Sequence, residues 1–113
     1  MRDLVSVFKA LADPTRLRII KLLEKKSMCV CELTAVLKIK QSSVSHHLKI
    51  LKDTGLVNDV RSGQWIDYEL AIEEYNEYAP KLLEMLTVWL NNYPKIIGDL
   101  RVAKKVNRKD ICK

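Results

Sequence analysis

Residues 41–55 (QSSVSHHLKILKDTG) constrain this chain more than any other stretch. Val44, Leu48 and Leu51 recur at i, i+4 and i+7 and make one apolar stripe of a helix. Ser42, Ser45, His46, Lys49 and Lys52 fall on the opposite side, a polar and cationic face with no acid until Asp53. Gly55 closes the helix, as a residue that tolerates positive φ just past a C-terminus does. Such a face suits a DNA groove, where Lys meets phosphate and Ser, Gln and His bond phosphates or base edges. An ordinary solvated helix face has the same composition, and only the neighbouring segments separate the two readings.

Upstream, Leu4, Val5, Val7, Phe8, Leu11 and Ala12 make a first helix with apolar residues on more than one side. Asp13 is a good N-cap and Pro14 a good first residue for the next helix, because the proline lacks an N–H that would be unpaired there anyway. Leu17, Ile19, Ile20, Leu22 and Leu23 make that second helix heavily apolar. Ser27, Met28 and Cys29 read as a connector. Val30, Leu33, Val36 and Leu37 give a short third helix, Lys38 to Lys40 a tight turn, and Gln41 opens the helix described first. A short helix, a turn and a helix with a basic outer face is the helix-turn-helix arrangement.

Two strand-like segments follow, Leu56 to Arg61, apolar and β-branched in part, and Gln64 to Leu70, which alternates, with a turn at Ser62-Gly63. They predict a two-stranded wing with Arg61 and Gln64 at its tip, within reach of phosphate or the minor groove. A long helix is expected from somewhere between Tyr75 and Pro80 to about Tyr93. Tyr75, Tyr78, Leu82, Met85 and Trp89 form one stripe on it, and Ala79, Leu86, Leu90 and Tyr93 a second. One stripe is enough to pack on a small core; two suggest that one face meets a twin copy. Pro94 starts a final helix through about Val106, and the basic tail after it is expected to fray.

The totals agree. A chain of 113 residues is one domain, and a net charge of +6 favours a polyanionic partner, nucleic acid first. No apolar run approaches the roughly 20 residues of a membrane span, and no signal-peptide core is evident. The expectation is a cytoplasmic protein without a membrane partner, whose cysteines are reduced thiols.

This order of elements resembles the ArsR/SmtB family of bacterial and archaeal metal-responsive repressors over almost the whole chain. Residues 8–19 (FKALADPTRLRI) match its N-terminal pattern. Residues 41–48 with Leu51 and Gly55-Leu56-Val57 match its recognition helix, and residues 61–68 (RSGQWIDY) its wing. The resemblance implies a mainly α winged helix-turn-helix with a small β-hairpin, homodimeric and not an enzyme. It would sit on a double-stranded DNA operator and leave it when an inducer binds. The single domain would span 1–113, with the helix-turn-helix at about 30–55 and the wing at about 56–70. Dimerisation would use helices at 3–12 and 76–106 through Leu4, Phe8, Leu82, Met85, Leu86 and Trp89. Gln41, Ser42, Ser43, Ser45, His46, Lys49, Arg61 and Gln64 are the candidate DNA contacts.

Cys29-Val30-Cys31-Glu32-Leu33 resembles the Cys-Val-Cys-(Asp/Glu)-Leu sequence of arsenic- and cadmium-type members. Thiolates are soft ligands for thiophilic ions, and a helix N-terminus is expected to lower their pKa. Residues at i and i+2 of a helix point about 200° apart. Either Cys29 lies ahead of the helix, or binding unwinds its first turn. The arsenic-type pattern often carries a further cysteine where Thr34 stands, and the cadmium type uses an N-terminal arm that is not expected here. That leaves Cys112 as a candidate third thiolate, or as an unconstrained tail thiol. The expected inducer is As(III) or Sb(III), with Cd, Pb or Zn, or thiol oxidation or persulfide, as alternatives, and no organic cofactor. A small thiol enzyme or metal buffer would need a base beside a cysteine or a denser cysteine cluster, and neither is visible. His46 is read as facing DNA and His47 as packing beneath the helix.

Overall fold

The computed structural model describes residues 1–71 and 76–111. The elements are α1 (Arg2–Leu11), α2 (Pro14–Leu23), β1 (Met28–Cys29), α3 (Val30–Leu37), α4 (Gln41–Asp53), β2 (Val57–Ser62), β3 (Trp65–Leu70), α5 (Ala79–Leu86), α6 (Pro94–Ala103) and α7 (Arg108–Ile111). The result is mainly helical, with a small antiparallel sheet. None of the described helices is long and apolar enough to cross a membrane.

The capping chemistry sets the first helices. Asp13 Oδ2 accepts the Arg16 N–H at 3.0 Å and so starts α2, with Pro14 at its first position. α2 then buries Ile19, Ile20, Leu22 and Leu23. α3 stops at Lys38, which adopts φ 57 and gives its N–H to the Thr34 carbonyl at 2.9 Å, leaving the chain free to turn into α4. The expected stripe of α4 holds: Val44, Leu48 and Leu51 are fully buried in the same core as Ile19, Leu33 and Leu56. Gly55, at φ 80, turns the chain out of α4 and into the wing.

The wing departs from expectation twice. β2 and β3 pair from Val57↔Leu70 to Ser62↔Trp65, so the loop is Gly63–Gln64, one residue later than Ser62-Gly63. A two-residue hairpin loop needs positive φ at its first position, and Gly63 supplies it at φ 61. The sheet also has a third strand where a connector was expected. Met28 pairs with Tyr68 and Cys29 with Asp67, giving the order β1-β3-β2. A strand of two buried residues is too short to show an alternation.

The long helix expected to about Tyr93 ends instead at Leu86. Its cause is Lys21, a fully buried side chain of α2 whose Nζ donates to the Leu86 carbonyl at 2.6 Å and to Asn91 Oδ1 at 2.9 Å. In a continuous helix that carbonyl would serve the N–H of Leu90. Here Trp89 N–H reaches it in a tighter turn, and Leu90 sits at φ 66. Tyr75, which opened the first stripe, lies outside the described residues.

Past Pro94, α6 folds back on α2 and α3. Asp99, 5% exposed, holds Arg18 in a two-pronged pair: Nε donates to Oδ2 at 2.8 Å and Nη2 to Oδ1 at 2.9 Å. That pairing raises the Arg18 pKa. Where fraying was expected, residues 108–111 of the tail form the short helix α7, which packs on α3 while Arg108 pairs with Asp67 of β3.

Candidate nucleic-acid interface and thiol site

α4 shows solvent the face expected of it. Gln41, Ser42, Ser45, His46 and Lys49 are exposed and Ser43 is half-buried. Arg61 and Gln64 are exposed at the wing. Lys49 pairs with Asp53 one turn on, at 3.0 Å, but both side chains are mostly in water. An exposed pair of this kind is worth little, so the ammonium is easily traded to a phosphate. Lys52, on the same face, donates to Asp59 of β2 at 2.9 Å and so ties wing to helix, a link the sequence reading did not include.

His47 packs beneath α4, as expected, and its partner is Arg16. Arg16 Nη1 lies 3.1 Å from His47 Nδ1, its Nε donates to the Ala10 carbonyl at 2.6 Å and its Nη2 to the Lys9 carbonyl at 3.2 Å. One guanidinium therefore joins the end of α1 to α4. An arginine has only donors, so His47 must accept at Nδ1 and carry its proton on Nε2. Burial, opposed by Asp13 and helped by Arg16 and His46, lowers the His47 pKa. A depressed histidine pKa adds stability that is complete above the ordinary value near 6.5 and is lost as pH falls through the folded-state value. Urea unfolding across pH 7.5 to 5.5 should therefore show wild type losing more stability on acidification than His47→Gln, which keeps an acceptor and does not titrate. Equal losses in the two proteins would rule this out.

The two cysteines at the start of α3 differ. Cys29 is its N-cap, in extended conformation at φ −87 and ψ 167, and lies ahead of the helix. Of the two alternatives left by the spacing, this is the first. Glu32 Oε1 accepts the Cys29 N–H at 3.1 Å, and the Glu32 N–H faces Cys29 Sγ, a capping box with a thiol in the usual place of a hydroxyl. Cys29 is a free thiol, 3% exposed. Burial is the largest influence on it and raises its pKa, with the neighbouring Glu32 carboxylate adding to the rise. The expectation of an unusually ionised thiol is thus wrong for Cys29: the helix-start N–H does act on it, but desolvation wins. Cys31 is half-buried on the first turn and is disulfide-bonded, against the expectation of reduced thiols throughout. Thr34 Oγ1 is committed to the Val30 carbonyl at 2.8 Å. Cys112 lies outside the described residues.

Three carboxylate or thiol groups meet at this place. Cys29 Sγ, Glu32 and Asp67 have ligand atoms within 4.8 Å of one another. Asp67 arrives through its register with Cys29 across β1 and β3. The sequence reading missed it, because its only signal was membership of a wing strand whose second neighbour was not foreseen.

Phe8, Leu11, Leu17, Leu82, Leu86, Trp89 and Leu90 line an open apolar groove. Of its lining, Phe8 and Trp89 are large and exposed, as are Met85 and Val88 nearby in sequence. Of the six expected dimerisation residues, Phe8, Met85 and Trp89 are exposed, Leu4 and Leu82 half-buried, and Leu86 buried.

Residues 13–59 match the family model described as bacterial regulatory protein, arsR family. The arsenical resistance operon repressor of Escherichia coli is 34% identical over 113 residues, covering 96% of this chain and 94% of that protein. The chain belongs to the ArsR family. Another family member, the transcriptional repressor SmtB homolog of Synechocystis, is 40% identical over 87 residues, 74% of this chain and 66% of that protein. Among solved structures, the homodimeric winged helix-turn-helix DNA-binding domain of a Mycobacterium bovis regulator superposes with TM-score 0.66 at 27% identity, covering 81% of this chain and 82% of that one. This ArsR-family chain is accordingly a DNA-binding transcriptional repressor with the winged helix-turn-helix fold, and not an enzyme.

Proposed function

We propose that this ArsR-family repressor holds its operator as a homodimer and releases it when As(III) or Sb(III) is bound by cysteine thiolates at the start of α3. Cys29 and, once its disulfide is reduced, Cys31 are the principal ligands and Cys112 the third. Gln41, Ser42, Ser43, Ser45, His46 and Lys49 would face the major groove, and Arg61 and Gln64 the flanking backbone. The observation that carries the reading is the position of Cys29. It sits at once on β1, paired with the wing strand, and at the cap of α3, which packs on α4. A chelate that moves Cys29 therefore pulls on wing and reading helix together, without unwinding a turn. The coupling requires that the ligated and DNA-bound shapes differ in free energy, typically by about 1–3 kcal/mol. The name of the Escherichia coli relative supports the choice of arsenic.

A second reading, release on thiol oxidation, is favoured by the disulfide at Cys31. Under it, oxidant alone would free the operator, and metalloid in reductant would not. The test is operator release by fluorescence anisotropy, in reductant, against As(III), Sb(III), Cd(II), Pb(II) and Zn(II), with an oxidant arm beside them. Wild type should respond to As(III), and Cys31→Ser should need at least about tenfold more, the equivalent of roughly 1.4 kcal/mol. An equal response in both proteins would remove the thiolate site.

A further inference from the structure

Arg16 does more than a helix cap requires. Its Nε and Nη2 donate to two consecutive carbonyls in the last turn of α1, Ala10 at 2.6 Å and Lys9 at 3.2 Å. A cation beside the last carbonyls of a helix is ordinary, and those two bonds complete that role. The guanidinium is a rigid planar fork, so once Nε and Nη2 are spent on α1 the direction of Nη1 is set. Nη1 lies 3.1 Å from His47 Nδ1, beneath α4. Among the described residues no other side chain hydrogen-bonds to both α1 and α4.

The two helices so joined have different tasks. α1 carries Phe8 at the apolar groove, and α4 carries the reading face. His47 directly follows His46 of that face, with the ring centres 6.0 Å apart, so a shift of one carries the other. Val44, Leu48 and Leu51 hold α4 against the core, but apolar packing is non-directional and leaves a helix some freedom to roll. A hydrogen bond has a preferred line. An aliphatic side chain at position 47 would pack beneath α4 and could not accept from Arg16.

We propose that Arg16 and His47 are positioning residues that lock the reading helix α4 to the dimerisation helix α1, and so fix the distance and phase of the two readers on an operator. The lock rests on the homodimer reading, with α1 at the interface. The half-sites of a two-fold dimer lie about 10–10.5 base pairs or a multiple apart, so each inserted base pair turns one half-site by about 35° relative to the other. Locked readers reject such an insertion. Loose readers tolerate it, and they also bind the correct spacing less tightly, because the second half-site is no longer presented in place.

The experiment uses the full chain in reductant and a duplex of two half-sites selected by wild type from random DNA. Affinity is read by fluorescence anisotropy on that duplex, on the same duplex with one or two base pairs inserted between the half-sites, and on a duplex with a single half-site. His47→Leu should bind the selected duplex at least about tenfold more weakly, a part of the roughly 10²–10⁴-fold that linked binding supplies. Its preference for the selected spacing should shrink by a similar factor, while it sediments as a dimer and binds the single half-site like wild type. His47→Gln, whose side-chain oxygen can accept from Nη1, should keep the wild-type spacing preference. Arg16→Lys, with no fork to divide between the helices, should behave like His47→Leu. A dimeric His47→Leu that keeps the spacing preference, or that loses the single half-site as much as the full duplex, would overturn the proposal alone. A wild type that stays monomeric on the selected duplex would remove the homodimer reading and the lock with it.

Discussion

Replacing Lys21 with Met should lower the unfolding free energy by about 3–5 kcal/mol, the cost of breaking a buried ion pair from one side. A domain of this size holds only about 5–15 kcal/mol in all, so the variant should be visibly weakened in urea. The reason is local and specific. Lys21 is 1% exposed and its ammonium has three partners: the Leu86 carbonyl, Asn91 Oδ1, and Glu24 Oε1 at 2.8 Å. Glu24 is itself largely buried, and among the described residues its Oε2 is a buried side-chain oxygen without a hydrogen bond. Methionine fills the space of the lysine stem but leaves the Glu24 carboxylate buried with no cation. The paired variant Lys21→Met with Glu24→Leu should recover much of the loss, since removing both charges together is often close to neutral. A loss under about 1 kcal/mol in the single variant would show that the ammonium is no more than a passenger in the core, because a net hydrogen bond alone is worth that much.

Lys21 also marks the boundary of what the sequence made legible. Periodicity read the helix-turn-helix correctly, because Val44, Leu48 and Leu51 repeat over enough turns to define a face and Lys38 to Lys40 break the pattern beside them. The hairpin was legible for the same reason, with an error of one residue in its loop. The long C-terminal helix was not. Its two apolar stripes continue through Trp89 and Leu90, and nothing local stops them. What ends the helix is a side chain 65 residues upstream that takes the Leu86 carbonyl. A lysine inside the run Leu17 to Leu23 was the only visible hint. Asp67 and Arg108 escaped for a related reason: they meet Cys29 through strand register and a tail helix, both non-local. The cysteine pair was singled out by its spacing, yet the ionisation of Cys29 was misjudged, because a helix-start effect can be read from sequence and burial cannot.

Phe8→Glu should turn the operator-binding species into a monomer and weaken operator binding by at least about a hundredfold. The argument starts from area that one chain leaves uncovered. Phe8 is 53% exposed and Trp89 47%, and both line the apolar groove formed by α1, α2, α5 and the segment beyond α5, while Met85 and Val88, 47% and 74% exposed, lie on the same stretch of chain. Scattered exposed apolar residues are ordinary; a contiguous set around a groove marks an interface. Under the homodimer proposed above, the occupant is a second copy of this chain. A carboxylate placed at Phe8 would be driven into the partner's apolar surface without a cation to meet it. Within one chain the change is mild, because Phe8 already lies half in water, so folding should persist and the effect should be read cleanly in sedimentation. Loss of the dimer separates the two reading helices. Binding of the second half-site then ceases to be intramolecular, and linked binding is commonly worth 10²–10⁴ in affinity. Trp89→Ala should act in the same direction more weakly, by removing apolar area without adding charge. A Phe8→Glu protein that sediments as a dimer and holds the operator as tightly as wild type would place the interface elsewhere on the chain, and with it the assignment of α1 and α5 as the elements that set the spacing of the two readers.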